Sequence, residues 1–219
     1  GAGLWGGYGE YMAVLPGTHL APLTDEVSAE ELTLFEPLSN MVSWLGRAGF
    51  QAGQSIVTQG PGHMGLTCAA YARSLGAGTV IVTGTADDAE RLAVATEVGA
   101  DVTVDVTVDD PVAAVMDLTG GFGASLAVDL ASAPITPGLC FDMVHHRGTV
   151  IWAGLKDRQA VSVVSDTVVM KGLTVMGGAG GDAASVDEAA RILNGGRFPT
   201  GPLLDRKSTR LNSSHVKRS

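Results

Sequence analysis

Short apolar runs alternate with longer segments of mixed polarity along most of this chain of 219 residues. The apolar runs are rich in Val, Ile and Ala, which is typical of strands that are buried on both faces. They predict strands at 55–59, 79–83, 102–105, 125–129, 148–153 and 172–177. The segments between them predict helices at 64–75, 86–98, 110–118, 134–146 and 185–194. Because parallel neighbours need crossover connections, this alternation predicts an α/β fold with a doubly wound parallel sheet.

The residues before the first of these strands follow a different pattern. Residues 6–15 alternate in polarity and predict a strand, which a Pro-Gly pair ends. Ser28 and Glu31 have the spacing of a capping box, in which each side chain bonds the backbone of the other residue. This predicts a helix at 29–35, and a second helix is predicted at 38–48.

A Gly-x-Gly-x-x-Gly motif follows the first strand of the alternating region and opens the next helix. The motif contains Gly60, Gly62, His63, Met64 and Gly65. The first glycine permits a tight turn, the second permits close approach of a pyrophosphate, and the third permits the helix to pack against the strand. The N–H groups and the positive dipole end of the helix then face the phosphates. In this strand–turn–helix context the motif predicts a dinucleotide-binding site, and a glycine turn without a ligand is the alternative.

The end of the second predicted strand bears on which dinucleotide is bound. An acidic residue normally stands there, about 20 residues after the glycines, and binds the ribose hydroxyls. Gly84 occupies that place, so no carboxylate at this position would repel a 2′-phosphate. Thr85 could donate a hydroxyl hydrogen bond or cap the next helix together with Asp88, and both roles can coexist. The sequence predicts NAD(P) as cofactor with NADP preferred, although Arg91 lies well inside the predicted helix.

Asp129 ends the fourth predicted strand. Ligands of open parallel sheets bind outside the carboxyl ends of the strands, at the point where the strand order reverses. Asp129 is therefore a candidate for cofactor contact, and a cap for the helix that follows Pro134 is the other interpretation.

Composition and charge exclude some classes of partner. Hydrophobic residues make up 45% of the chain, so a sizeable core can form, and the widely separated Cys68 and Cys140 are typical of reduced thiols in a cytoplasmic protein. No apolar run reaches the roughly 18 residues of a membrane span, so no membrane partner is expected. The chain has 14 basic and 23 acidic residues. Five of the basic residues and one of the acidic residues lie in 205–219, so residues 1–204 have 9 basic and 22 acidic residues and a net charge of −13. This charge disfavours nucleic acid as a partner.

The basic, Ser-rich end of the chain differs from its acidic body. Residues 205–215 resemble the in-frame translation of a sequencing adapter, which predicts that 205–219 is a non-native tail without a function. A disordered interaction tail is the alternative.

Four segments, in this order, resemble the zinc-dependent medium-chain alcohol and polyol dehydrogenases. They are Gly6–Tyr11, Phe35–Leu38, Gly60–Gly65 and Ile151–Leu155. The resemblance implies a Rossmann domain over 36–204, preceded over 1–35 by the end of a GroES-like catalytic domain. It also implies hydride transfer between NAD(P) and an alcohol or polyol, with a small-molecule alcohol or carbonyl substrate. The protein is further expected to form a homo-oligomer through the edge strand at 173–177.

The resemblance implies further site residues. Gly154, Leu155, Gly177 and Gly178 match positions whose backbone lies along the nicotinamide half of the cofactor, although turn glycines need no such role. Glu36 matches the third zinc-ligand position, and a cap for the helix near Leu38 is the alternative. A carboxylate is a competent zinc ligand. The other ligands and the structural-zinc lobe are expected upstream of this sequence, so zinc is expected in the full-length parent.

Two other functions stay open at this point. One is a zinc-free quinone or enoyl reductase, which the segment Phe35–Leu38 disfavours, and the other is a non-catalytic NAD(P)-binding module.

His145 and His146, at the end of a predicted helix, are expected to be solvated rather than to bind metal. The sequence points to no catalytic residue within this chain, which is expected to be inactive by itself.

Overall fold

The computed structural model describes residues 10–204. Strands β1–β6 are Ser55–Gln59, Thr79–Gly84, Val102–Asp105, Ala124–Asp129, Val144–Trp152 and Thr174–Gly177. Helices α1–α9 are Ala29–Leu32, Phe35–Arg47, His63–Ser74, Ala89–Glu97, Pro111–Leu118, Thr136–Met143, Ser165–Lys171, Ala183–Asn194 and Thr200–Leu203. A short 3-10 turn, Ala86–Asp88, precedes α4.

The described strands form one parallel sheet with the order β3-β2-β1-β4-β5-β6. The chain order reverses between β1 and β4, and this switch point is where open α/β sheets bind their ligands. Gln59 pairs in register with Thr83 on one side and with Asp129 on the other. The carboxyl ends of β1, β2 and β4 therefore meet at one crevice, and the predicted doubly wound fold is confirmed.

Helices cover both faces of the sheet. On one face α2, α3, α4 and α8 pack around residues such as Leu38, Met41 and Ile56. On the other face α5 and α6 pack around Val57 and Ile81. Successive strand residues point to opposite faces, and the neighbours Ile56 and Val57 are both fully buried. This two-sided burial explains why successive apolar residues occur in the central strands β1, β2 and β4.

Short-range side-chain contacts start several of the helices. Ser28 and Glu31 form the predicted capping box at α1. Asp110 accepts two N–H bonds in the first turn of α5, where Pro111 needs no N–H partner. Asp182 caps α8 in a similar way. These contacts lie within a few residues of each other, so the sequence pattern is sufficient to locate them.

The predicted elements before β1 need correction. Residues 10–15 form no strand, and the remainder of the predicted strand at 6–15 lies outside the described residues. Strands need a paired neighbour, and no described strand lies beside this segment. The second helix starts at Phe35 rather than at 38, since Pro37 is tolerated in a first helical turn.

The boundary between α6 and β5 also differs from the prediction. A helix was expected through residue 146, but α6 ends at Met143 and β5 follows at once. His145 and His146 therefore lie at the start of a strand, where the register with β4 shifts and Arg147 has a φ of 63°. The expectation that they end a helix was wrong.

A distant lysine explains this early helix end. The Lys171 ammonium group donates to the carbonyl oxygens of Phe141, Asp142 and Val144 at 2.9–3.0 Å. Cationic side chains commonly satisfy carbonyls at the last turn of a helix. Because this cap comes from α7, hydrophobic periodicity within α6 cannot reveal it.

Helices α7 and α9 were not predicted. They are seven and four residues long, and α7 buries none of its residues, so neither produces a helical hydrophobic pattern. Within residues 10–204, no helix has the length and apolar character that crossing a membrane requires.

Candidate nucleotide-binding site

The glycine motif forms the turn between β1 and α3. Gly60 has a φ of 96° and donates its N–H to the Thr83 carbonyl at 2.9 Å. Gly62 is the extended N-cap of α3, and a Cβ there would point into open space. At Gly65 a Cβ would approach the Gly60 carbonyl oxygen to 1.9 Å, so only glycine lets the helix pack this closely. The backbone thus adopts the geometry that the motif requires for a pyrophosphate.

His63 and Met64 occupy the first turn of α3. The His63 side chain is exposed, whereas Met64 packs partly against the core. The first N–H groups of any helix have no partner within the helix. These residues can therefore serve an anion through their backbone, with no demand on the side-chain type.

A cavity of about 140 Å³ opens beside the turn, at the switch point of the sheet. Gln59, Gly60, Gly84 and Asp88 form part of its wall. Residues of the β4–α6 connection and of α6 complete this side: Ala131, Ala133, Ile135, Thr136 and Leu139. Of three larger clefts in the described residues, two, of about 390 and 500 Å³, lie along α8 and share no residue with this cavity. The third, of about 270 Å³, shares Ile135 and Leu139 with it. We assign the site from the strand ends and the glycine turn, because position in the sheet locates ligands better than cleft size does.

The end of β2 has a close-packed glycine followed by a capping box. A Cβ at Gly84 would lie 2.9 Å from Cγ of Pro61, within the glycine motif. Thr85 donates both its N–H and its hydroxyl to Oδ2 of Asp88, at 3.0 and 2.9 Å. Arg91 donates to the other carboxylate oxygen at 3.2 Å. The predicted cap formed by Thr85 and Asp88 is confirmed, and it places a carboxylate in the wall of the crevice.

Asp129 is fully buried and belongs to an ion pair that the sequence did not predict. The Lys156 ammonium group donates to both carboxylate oxygens, at 3.1 and 2.8 Å, and to the carbonyl of Ala131. The hydroxyl of Thr136, in the first turn of α6, donates to the same carboxylate at 2.7 Å. Asp129 thus contacts a side chain of α6 rather than capping its backbone, and that interpretation was wrong.

The turns after β5 and β6 approach the crevice from the other side. Gly154 donates its N–H to the Asp129 carbonyl at 2.7 Å, and a Cβ there would lie 2.2 Å from the carbonyl oxygen of Ala131. A Cβ at Gly178 would lie 2.9 Å from Cβ of Ala153 and 3.0 Å from the Trp44 ring, whereas Gly177 has open space around it. The side chain of Leu155 is 84% exposed. The two close-packed glycines hold these turns against β4 and α2, and Leu155 offers an uncovered apolar surface.

Glu36 lies in the first turn of α2 and is exposed. Its Oε1 accepts a 2.6 Å hydrogen bond from the amide of Asn40, one turn later, and Asn40 is 5% exposed. Glu36 makes no side-chain cap for the helix, so the capping alternative was wrong. No group of three or more His, Cys, Asp and Glu residues suited to a metal ion occurs in the part of the chain that the structure describes.

Three residues of this region were missed or undervalued by sequence reasoning: Asp88 as a crevice residue, Lys156 and Asn40. Lys156 lies 27 residues from the carboxylate that it binds, so no short-range spacing indicates the pair. Asn40 follows Glu36 at a spacing of four, which places two residues on one helix face and could have been recognised.

Comparisons with known proteins agree with this architecture. The family model described as zinc-binding dehydrogenase matches residues 64–195. A probable alcohol dehydrogenase of Mycobacterium tuberculosis (strain H37Rv) is 39% identical over 217 residues, which cover 97% of this chain and 59% of that protein. A sorbitol dehydrogenase of Halalkalibacterium halodurans is 30% identical over 176 residues, covering 80% of this chain and 50% of the relative. The chain thus spans only about half of the length of the curated relatives that it matches.

Solved structures share the fold. The alcohol dehydrogenase TADH from Thermus sp. ATN1 matches with a TM-score of 0.75 at 24% identity, over 81% of this chain and 51% of that one. The 2R,3R-butanediol dehydrogenase from Bacillus subtilis matches with a TM-score of 0.74 at 23% identity, over 82% and 50%. With more than half of its residues matched by the family model, and with the predicted doubly wound parallel sheet, this chain belongs to the zinc-binding dehydrogenases, the family of medium-chain alcohol and polyol dehydrogenases.

Proposed function

We propose that this chain is the nucleotide-binding part of a zinc-assisted dehydrogenase that transfers a hydride between NAD(P) and a small alcohol, polyol or carbonyl compound. The observation that carries the proposal is the glycine turn Gly60–Gly65, set at the switch point of a parallel sheet. The names of the relatives, alcohol and sorbitol dehydrogenase, support the reaction class. Residues 36–204 are the proposed Rossmann domain, and residues 1–35 the proposed end of a GroES-like catalytic domain.

The backbone of the site would carry most of the cofactor contacts. In this proposal the N–H groups at the start of α3 donate to the pyrophosphate, and the open space at Gly62 admits it. Gly154, Leu155, Gly177 and Gly178 lie along the nicotinamide half. When bound, the cofactor supplies the hydride chemistry, and these residues orient it and exclude water.

Glu36 is the proposed zinc ligand of this chain. A carboxylate suits zinc, and Asn40 holds one of its oxygens from the next turn, as residues behind metal ligands commonly do. When bound, zinc supplies a Lewis acid that stabilises an alkoxide. The remaining ligands are proposed to come from the catalytic domain.

Two features near the adenosine end point to different cofactors. Gly84 leaves the end of β2 without a carboxylate, which supports NADP, as the sequence predicts. Asp88, however, lines the crevice next to it and brings a carboxylate back. The proposed cofactor is NAD(P), and the preference for NADP stays a prediction that rests on Gly84.

Calorimetric titration of the chain with NAD+ and NADP+ tests the nucleotide site. We expect saturable binding of at least one of them, and no oxidation of alcohols by the chain itself. Absence of binding by both would contradict the proposal.

The reaction class needs the protein with a complete catalytic domain, assayed for reduction of NAD(P)+ by a panel of alcohols and polyols. We expect turnover that a zinc chelator abolishes. Nucleotide binding without turnover would favour the non-catalytic module, and quinone reduction that survives the chelator would favour the zinc-free reductase.

A further inference from the structure

Asp88 places a negative charge in the wall of the crevice at the adenosine end. Its side chain is 20% exposed, and it is the one charged residue among those lining the cavity in the described part of the chain. The end of β1, the glycine turn and the end of β2 surround the same cavity. In a dinucleotide-binding sheet this is the place where the adenosine ribose meets the second strand.

Gly84 cannot readily carry the acidic group that usually ends this strand. It is buried, and a Cβ there would lie 2.9 Å from the Pro61 ring and 3.1 Å from Leu92. A proline ring in the glycine turn has little freedom to move away. The Pro61 ring thus leaves no space for a side chain at the end of the strand, so a carboxylate that binds the ribose has to come from another position.

We propose that Asp88 accepts hydrogen bonds from the ribose hydroxyls of the adenosine half and thereby makes this protein prefer NAD over NADP. The inference rests on the proposed nucleotide site and deepens it. It opposes the preference that Gly84 alone would suggest. In this protein the acidic group lies at the third position of the 3-10 turn that follows β2, and not at the end of β2 itself.

The hydrogen bonds of Asp88 fix its carboxylate while leaving it able to accept more. Two donors from Thr85 hold Oδ2 and turn the carboxylate back toward the strand end. A carboxylate offers about four acceptor positions. Among the described residues, Oδ1 receives a single bond, of 3.2 Å, from Arg91, whose side chain is 51% exposed. Exposed pairs of this kind contribute little, so a ribose hydroxyl can join or replace it.

A 2′-phosphate would meet unfavourable charge at the same place. It would lie beside the fixed Asp88 carboxylate, and like charges at short range repel. Arg91 pairs with this carboxylate among the described residues, so its positive charge is offset by the negative charge of Asp88 at the same place. The arrangement therefore suits a diol, which donates hydrogen bonds, and not a phosphate monoester, which only accepts them.

The test uses the 219-residue chain and two adenosine fragments, 5′-AMP and 2′,5′-ADP, titrated by calorimetry. We expect the wild-type chain to bind 5′-AMP at least about tenfold more tightly than 2′,5′-ADP. Asp88→Asn keeps an oxygen that can accept from Thr85 but removes the charge, and it should lower this ratio at least about tenfold. Asp110→Asn is the matched control, since Asp110 also caps a helix but does not line the cavity. It should leave the ratio unchanged.

Three results would count against the role proposed for Asp88. Tighter binding of 2′,5′-ADP by the wild-type chain overturns the inference and supports the NADP preference, and this comparison needs no variant to fold. An Asp88→Asn ratio equal to that of the control also overturns it, while the nucleotide site itself stands. If neither fragment nor NAD+ binds, the proposed nucleotide site fails and the inference falls with it.

Discussion

Gly62 is the residue at which the turn leaves room for a ligand. A Cβ there meets nothing within 4 Å and the backbone is extended, so a larger side chain costs the fold little. The same side chain would occupy the position proposed for the pyrophosphate. We expect Gly62→Val to abolish NAD(P) binding measured by calorimetry, with an unchanged melting temperature.

Gly46→Val is the control for this change. Gly46 also has open space around it, and it lies in α2, away from the glycine turn. We expect it to bind the nucleotide as the wild type does. Equal affinity of wild type and Gly62→Val would show that the turn does not hold the phosphates.

The two cysteines predict a loss of stability at alkaline pH. Burial raises the pKa of the Cys68 thiol to about 11, and burial followed by the Asp129 carboxylate raises the pKa of Cys140 as well. Thiols in the unfolded chain have a pKa of about 8.5, so above that pH the unfolded state releases protons that the native state keeps. The contribution of the two thiols to the free energy of unfolding should therefore be fully present below about pH 8 and be lost as the pH rises toward 11.

Urea unfolding at pH 7.5 and pH 10 measures this effect. The double variant Cys68→Ala, Cys140→Ala is the control, and its stability should fall less between the two pH values. An equal fall in both proteins would assign the pH dependence to other groups.

At the scale of elements, the buried ion pair joins the end of β4 to the turn after β5. The side chains of Asp129 and Lys156 are 1% and 8% exposed. Removal of one member of a buried pair leaves an uncompensated charge and typically costs about 3–5 kcal/mol. We expect Lys156→Met to lower the free energy of unfolding in urea by about this amount.

A second variant separates charge from packing. Asp129→Asn combined with Lys156→Met removes both charges, and it should recover part of the lost stability. A loss below about 1 kcal/mol in Lys156→Met would mean that the pair contributes little to holding these two turns together.

At the scale of the whole molecule, β6 is an open edge of the sheet that residues 10–204 form. It pairs with β5 on one side, and Val175 is 36% exposed. An open edge can pair with another chain, and a two-fold axis would make that contact between identical surfaces. We propose a homo-oligomer built on β6 in the protein with a complete catalytic domain.

Val175→Pro tests this contact, because proline removes one N–H from the strand. We expect the variant to be a monomer or to aggregate in light scattering, where the wild type is a dimer or a larger even-numbered assembly. Val108→Pro is a control at a distant exposed valine beyond the other edge strand, β3. An unchanged mass and activity in Val175→Pro would place the interface elsewhere.

The sequence was sufficient for features that depend on neighbouring residues. The positions of β1, β2 and β4 follow from their apolar runs, since burial on both faces of the sheet favours apolar residues there. The glycine turn and the caps at Ser28 and Thr85 require particular residue types within a few positions of each other. Their chemistry is local, and a linear pattern records it.

Tertiary structure decided the features that join residues distant in the chain. The α6–β5 boundary depends on Lys171, and the state of Asp129 depends on Lys156. The role of Gly84 depends on Pro61, whose ring fills the space of a side chain, and only the folded crevice shows that Asp88 faces the same cavity. Sequence alone predicted a nucleotide site, because the backbone geometry of the glycine turn is local. The groups that surround it were decided by packing between strands, because side-chain contacts across a sheet leave no spacing rule along the chain.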